Sequence, residues 1–317
     1  MTAYDVFNGD ADGICALLQL RQVDPRDATL VTGVKRDIAL LQHVSATTGD
    51  QITVLDISLD KNRAALIEIL EVGAEVFYCD HHYPGEIPEH PNLRALINTA
   101  PEVSTSALIN GSLKGARAPW AVVGCFGDNL NATANKLAKT IEKPVDLNAW
   151  RELGVLLNYN GYGATVSDLH FDPGELFKRL LPHPSPDDFL AQDAALFETL
   201  QGGYEADMAS AESSTRTVED QAIAVIELPD EPWSRRVSGV YGNHLANLCP
   251  GRAHAVLTHR PGGFLVSVRA PLNNRQGADE VCRQFDTGGG RSAAAGINHL
   301  AEADLNRFVD ALRAQYR

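Results

Sequence analysis

Asp10-Ala11-Asp12, Asp56, Asp80-His81-His82 and Asp128 are the side chains of this sequence whose types and spacing can do chemistry together. Hydrolysis of a phosphoester needs a nucleophilic water at neutral pH and neutralised charge on the phosphoryl oxygens, and two divalent ions ~3.5–4 Å apart supply both. Ions held that close demand several anionic ligands, at least one of which bridges them. Asp56 is assigned as the bridge, Asp10 to one ion, and Asp12, His81 and Asp128 to the other. Mixed carboxylate and imidazole ligation favours Mn²⁺ over Ca²⁺, which takes oxygen alone, and over structural Zn²⁺, which takes closed Cys/His sites; Mg²⁺ or Co²⁺ are the substitutes. His82 is read as free of metal and within reach of a phosphate or leaving group, and Asp80 as orienting a histidine ring. Taken singly these residues are ordinary, since an Asp-x-Asp is commonly a turn or a helix cap. Their joint occurrence at successive strand and helix ends carries the metal reading.

Each group stands where an apolar run stops. Residues 4–7, 52–55 and 76–78 read as short buried strands ahead of Asn8-Gly9-Asp10, Asp56 and Asp80. In an open parallel sheet the carboxyl ends of neighbouring strands meet at one edge, so side chains distant in sequence converge there. Helices are predicted over 14–23, 38–44 and 61–72, with an apolar stretch at 30–34. This alternation predicts an α/β fold, with a doubly wound parallel sheet in the N-terminal domain. From Ser104 the pattern turns helical over 104–113, 120–126, 133–141, 147–157 and 186–200, and Asn158 to Gly163 reads as a loop. Gly202-Gly203 and Ser210, Ser213 and Ser214 mark a linker. Strands over 222–228, 254–257 and 264–268 with helices over 277–285 and 302–314 describe a second, smaller α/β domain. The division is therefore a catalytic domain over 1–190, a linker over 191–218 and a C-terminal domain over 219–317.

A chain of 317 residues is long for a single core. Lys and Arg number 27 against 41 Asp and Glu, a formal charge of -14. That balance opposes binding to a long duplex nucleic acid and favours a small or short anionic substrate. No apolar run reaches the ~20 residues of a bilayer span, and Met1-Thr2-Ala3-Tyr4-Asp5 lacks the basic-then-apolar pattern of a leader, so no membrane partner and a cytoplasmic location are expected. The cysteines, Cys15, Cys79, Cys125, Cys249 and Cys282, are odd in number and scattered, and read as reduced core residues. Oligomeric state, a homodimer included, is left open.

These motifs resemble the DHH phosphoesterase superfamily, in its RecJ-like and oligoribonuclease-like branches, over nearly the whole chain. Asn8-Gly9-Asp10-Ala11-Asp12-Gly13 looks like its first motif, Val54-Leu55-Asp56 its second, Asp80-His81-His82 the triplet that names it, and Gly124-Cys125-Phe126-Gly127-Asp128-Asn129 its fourth. Val266-Ser267-Val268-Arg269 and Gly288-Gly289-Gly290-Arg291-Ser292-Ala293-Ala294-Ala295-Gly296 are similar to the associated substrate-binding domain. The resemblance implies a catalytic N-terminal domain, an active site in the cleft between the domains, and Mn²⁺-dependent hydrolysis of a short oligonucleotide or small nucleotide phosphoester. Pyrophosphate or polyphosphate cleavage, and a degenerate chain that binds a nucleotide without turnover, are the alternatives.

Two departures stand out. Many small-substrate members carry a His before the first Asp pair, where this chain has Val6-Phe7-Asn8; one metal is then a ligand short or uses Asn8. The glycine-rich motif commonly ends in His, where Arg291 stands here. The amides of Gly288, Gly289 and Gly290, read as a turn before an Ala-rich helix, are expected to clamp a substrate phosphate together with Arg269 and Arg291. Lys35-Arg36, after the stretch at 30–34, reads as a solvated pair.

Overall fold

Short apolar runs, most of them stopped by Asn or Asp, form a five-stranded parallel sheet in the computed structural model, which describes residues 1–317. The chain divides into two compact units, Met1–Gln201 and Gly202–Arg317. In the first, β1 (Ala3–Phe7), α1 (Ala11–Val23), β2 (Thr29–Val31), β3 (Gln51–Leu55), α2 (Leu59–Glu71), β4 (Glu75–Asp80) and β5 (Leu93–Ile97) build the sheet and its first cover. Strand order is β2-β1-β3-β4-β5, so the direction of winding reverses between β1 and β3. At such a switch point the helices leave on opposite faces and a crevice opens at the carboxyl ends of the strands. Register then decides what lines that crevice: Phe7 pairs with Leu55 and Leu55 with Cys79. The residues that follow each of these, led by Asn8, Asp56 and Asp80, therefore stand in one row.

Both faces of the sheet are buried, as a parallel sheet requires. Val6, Ile52, Val54, Val76 and Tyr78 pack with Leu66, Ile69 and Leu70 of α2 on one side. On the other, α1 buries Ile14, Leu17 and Leu18. Its Arg21 grips Asp5 of β1 through two hydrogen bonds, 2.5 and 2.7 Å, and reaches Thr53 of β3 at 3.0 Å. The helix expected over 38–44 is a single 3₁₀ turn, Leu40–His43. Asn62 takes its backbone partners, accepting from the Leu41 amide at 3.1 Å and donating to the Ile38 carbonyl at 2.6 Å.

A helical layer follows: α3 (Thr105–Ser112), α4 (Ala118–Gly127), α5 (Asn131–Ala138), α6 (Leu147–Gly161), α7 (Pro173–Leu180), α8 (Pro186–Gln192) and α9 (Ala194–Glu212). A Cβ on Gly127 would lie 2.3 Å from the Ala11 Cβ, so only glycine lets the end of α4 approach the start of α1. That approach delivers Asp128 to the strand ends. Asn158 to Gly161, read as a loop, form the last turn of α6. Much of the stretch read as a linker is also helical: α9 runs through Gly202-Gly203 to Glu212, and Ser213 and Ser214 lie just beyond it. Two glycines cost a helix about 1 kcal/mol each, and burying Leu196 and Leu200 on the same helix returns ~1.5–3 kcal/mol each.

The second unit holds β6 (Arg216–Glu219), β7 (Ile223–Leu228), α10 (Pro232–Leu248), β8 (Ala253–Arg260), β9 (Gly263–Arg269), α11 (Ala278–Cys282), β10 (Gly288–Arg291), β11 (Ala294–Ala301) and α12 (Leu305–Tyr316). Its sheet has the order β10-β11-β9-β8-β7-β6, with only β7 and β8 parallel. Val225, Leu257, Val266 and Ile297 pack against Val281, Phe308 and Leu312 of α11 and α12. The glycine-rich segment is an edge strand rather than a turn, and the alanines after it form β11 rather than a helix. β11 satisfies its backbone against both β9 and β10, which outweighs the helix preference of Ala. No helix is long and apolar enough to cross a membrane.

Candidate metal centre

His81 is the hub of the row of strand ends. Its Nδ1 lies 2.7 Å from the Val103 carbonyl, which accepts only if Nδ1 carries the proton. That contact fixes the tautomer and leaves the Nε2 lone pair aimed at three carboxylates: Asp56 at 3.2 Å, Asp128 at 3.6 Å and Asp12 at 3.8 Å. Ligand atoms of Asp12, His81 and Asp128 lie within 4.8 Å of one another, as do those of Asp56, His81 and His82. All of the carboxylates are buried.

The carboxylates are held from behind. The amides of Thr105 and Ser106, which open α3, donate to the two oxygens of Asp12 at 2.7 and 2.9 Å, and the Thr105 hydroxyl donates to Asp56 at 2.8 Å. A helix N-terminus favours negative charge, and Ser104 caps this one through the Ala107 amide. Asp56 occupies the left-handed region at φ 61, a conformation that costs a non-glycine residue on the order of 1 kcal/mol and turns its side chain into the crevice. Asn129, beside Asp128, is left-handed too, at φ 58.

This arrangement is electrostatically unsatisfied. Burial raises the Asp56 carboxyl well above its ordinary value, and Asp10 and Asp12 push it further. Asp12 is raised by burial, with His81 opposing and Asp128 and Asp10 adding. Oxygen and imidazole donors gathered in this way fit a divalent cation. No cysteine belongs to either group, and burial pushes Cys125 up to about 12 and raises Cys15 and Cys79.

Asp10 belongs to a different corner. One of its oxygens caps α1 through the Gly13 amide at 3.0 Å, and the other takes the ammonium of Lys35. Lys35 also donates to Asn158 at 2.9 Å and Asp128 at 3.3 Å. Burial alone would lower the Lys35 pKa, but the charges of Asp10 and Asp128 outweigh it and raise it.

No family model and no curated protein matches the sequence. Solved structures do match in shape. A DHH domain described as a member of the s1p family of ribosomal proteins aligns over 99% of this chain and 86% of its own, at TM-score 0.66 and 14% identity. The exonuclease RecJ bound to manganese aligns over 99% and 89% at TM-score 0.54 and 20% identity. The pGpG-specific phosphodiesterase PggH from Vibrio cholerae aligns over 99% and 100% at TM-score 0.55 and 16% identity. The chain has the DHH phosphoesterase fold.

Within the DHH fold, the naming triplet ends β4 and divides its labour. His81 faces the carboxylates, whereas His82 points its Nδ1 at Asp80 Oδ1, 2.7 Å away. Asp80 is fully buried and its second oxygen has no hydrogen-bond partner, so the histidine that it orients is His82. His82, expected away from metal, brings a ring nitrogen into the group with Asp56 and His81.

Three other expectations change. Lys35, read as solvated, reaches into the acidic cluster with its side chain only 21% exposed. Asn8, read as a replacement ligand, accepts from the Asp10 amide at 3.2 Å and donates to the Lys35 carbonyl at 3.1 Å, so both ends of its amide are engaged in shaping the loop. Arg269, read as a phosphate clamp, is 9% exposed and donates to Asn243 at 2.5 Å and to the Val268 and Gly239 carbonyls at 3.0 Å each. It ties β9 to α10. Gly288, Gly289, Gly290 and Arg291 lie on β10, whose outer side carries no further strand; Gly290, at φ 135, approaches Ala295 too closely for a Cβ. Lys35 follows β2, which the strand order places beside β1 at the same edge as Asp10; only its position after an apolar run is visible in the sequence.

Proposed function

We propose that this protein is a metal-dependent phosphoesterase that hydrolyses a short oligonucleotide or small nucleotide phosphoester, with Mn²⁺ as its ion. The observation that carries the proposal is the convergence of His81 Nε2 with Asp12, Asp56 and Asp128, three buried carboxylates brought together from separate strand and helix ends. A bound divalent ion there supplies an acidified water and positive charge for the phosphoryl oxygens. The chain's own groups do the rest. Val103 and the α3 amides hold the ligands in place, so little reorganisation is needed when substrate arrives. Asp80 holds His82 through its Nδ1, which leaves Nε2 beside Asp56 and His81, where it would meet a phosphate or a departing oxygen at the edge of the centre.

The charge of -14 argues against a long polyanion. RecJ is an exonuclease bound to manganese and PggH a phosphodiesterase specific for pGpG, which favours a nucleotide substrate here. The edge amides of Gly288, Gly289 and Gly290, with Arg291, remain the candidates for substrate recognition in the second unit. The absence of a membrane-crossing helix and five free cysteines fit a cytoplasmic enzyme. Purified protein is to be assayed with Mn²⁺ against di- to pentanucleotides, pGpG, pyrophosphate and polyphosphate. Turnover of the nucleotides that disappears with chelator is expected. Release of phosphate from pyrophosphate or polyphosphate alone would replace the proposal with phosphoanhydride cleavage, and tight nucleotide binding without product would make the chain a sensor.

A further inference from the structure

We infer that this chain binds one divalent cation rather than two, the ammonium of Lys35 standing where the second ion was expected. The inference rests on the phosphoesterase reading for the first cation only. An ammonium has three hydrogens to donate, and three acceptors converge on this one: Asp10 Oδ2, Asn158 Oδ1 at 2.9 Å and Asp128 Oδ1 at 3.3 Å. The ring of Tyr162 stands 5.6 Å away and adds its electron-rich face. These acceptors come from the ends of β1, α4 and α6, so the pocket is assembled by the fold rather than by neighbours in sequence.

Lys35 is also aimed by its backbone. Its amide donates to the Gly161 carbonyl at 2.7 Å and its carbonyl accepts from Asn8 at 3.1 Å, anchoring the residue on both sides of the loop that carries Asp10. Asn8 is the position where the sequence offers no histidine ligand for this corner. Asp10, moreover, is absent from both groups of side chains close enough to share an ion. A missing ligand, an engaged carboxylate and a directed ammonium thus agree at one place. Asp128 spans the two corners, with Oδ1 toward Lys35 and Oδ2 toward His81. A fixed single charge replaces a double one, so the corner near Asp10 still offsets phosphoryl charge but supplies no second metal-bound water.

The test counts ions directly. Full-length protein is stripped with chelator, dialysed against Mn²⁺, quantified by mass spectrometry of the metal and examined by electron paramagnetic resonance. Wild type is expected to hold one Mn²⁺ per chain with the six-line spectrum of an isolated ion. Lys35→Arg is expected to keep that count, and Lys35→Met to take up a second ion with the multiline spectrum of a coupled pair. Two tight ions in wild type would overturn the inference and leave the phosphoesterase reading intact. A single ion in both wild type and Lys35→Met would overturn Lys35 as the cause. No bound ion in wild type would overturn the metal reading itself. The wild-type count needs no variant to fold.

Discussion

On the His81 side of the acidic cluster, Asp12 and Asp56 are held by neutral dipoles, the amides of Thr105 and Ser106 and the Thr105 hydroxyl, with the Val103 carbonyl behind the imidazole. On the Asp10 side the same kind of carboxylate meets a full positive charge from Lys35. Dipoles orient an anion while leaving most of its charge to be answered, whereas an ammonium answers it. The first corner is therefore the one proposed to take a cation, and the second already holds one in Lys35. Two neighbouring carboxylate sites can thus look alike in sequence and differ in what they bind.

The largest effect expected from breaking this contrast is at Asp56. Asn tolerates the left-handed backbone there about as well as Asp, so Asp56→Asn keeps the fold and removes the charge. Turnover should fall at least ~10²–10³-fold, with weaker Mn²⁺ binding by calorimetry; unchanged kcat would show that Asp56 is not part of the centre. Asp80→Asn should lower kcat about 10–100-fold while Mn²⁺ affinity stays near wild type, because Asp80 touches His82 and no carboxylate cluster member. Equal losses in both measurements would make Asp80 a support of the metal rather than of His82. Thr105→Val keeps the amide bond to Asp12 and loses the hydroxyl donor to Asp56; about a 10-fold loss of Mn²⁺ affinity is expected.

A smaller effect concerns pH in the metal-free protein. Asp12 and Asp56 have folded pKa values raised above the ordinary 3.8, chiefly by burial. Between that value and the raised ones, the folded chain holds more protons than the unfolded chain, so stability falls as pH rises through the window. Acidifying metal-free protein from neutrality into the window should raise its melting midpoint, and Asp56→Asn should flatten the trend. With saturating Mn²⁺ the sign should reverse, since protons then compete with the ion.

Much of this was legible because it depends on chain order. Apolar runs stopping at Asn8, Asp56 and Asp80 announced strand ends, and the parallel sheet rule brings such ends to one edge. Lys35 was not legible from periodicity, since its role comes from β2 lying next to β1 and from an acceptor, Asn158, in what reads as a loop. In the second unit the difficulty was local preference. Alanines at 293–295 favour a helix, but pairing with β9 and β10 draws Ala294 and Ala295 into a strand, and α10 carries Gly239, Gly242, Ser234, Ser238, Asn243 and Asn247, which weaken its helical signal. Arg269 shows the same limit: a cationic strand residue looks like a ligand clamp until Asn243 and the Gly239 carbonyl are seen to hold it.

Asp12, Asp56, His81 and Asp128 are proposed to hold one divalent cation among them. Crystals grown with Mn²⁺ and measured at the manganese absorption edge test it most directly. An anomalous peak bounded by His81 Nε2 and the three carboxylates is expected, with Lys35 still on Asp10. Manganese bound elsewhere on the chain, with no peak among those four side chains, would contradict it.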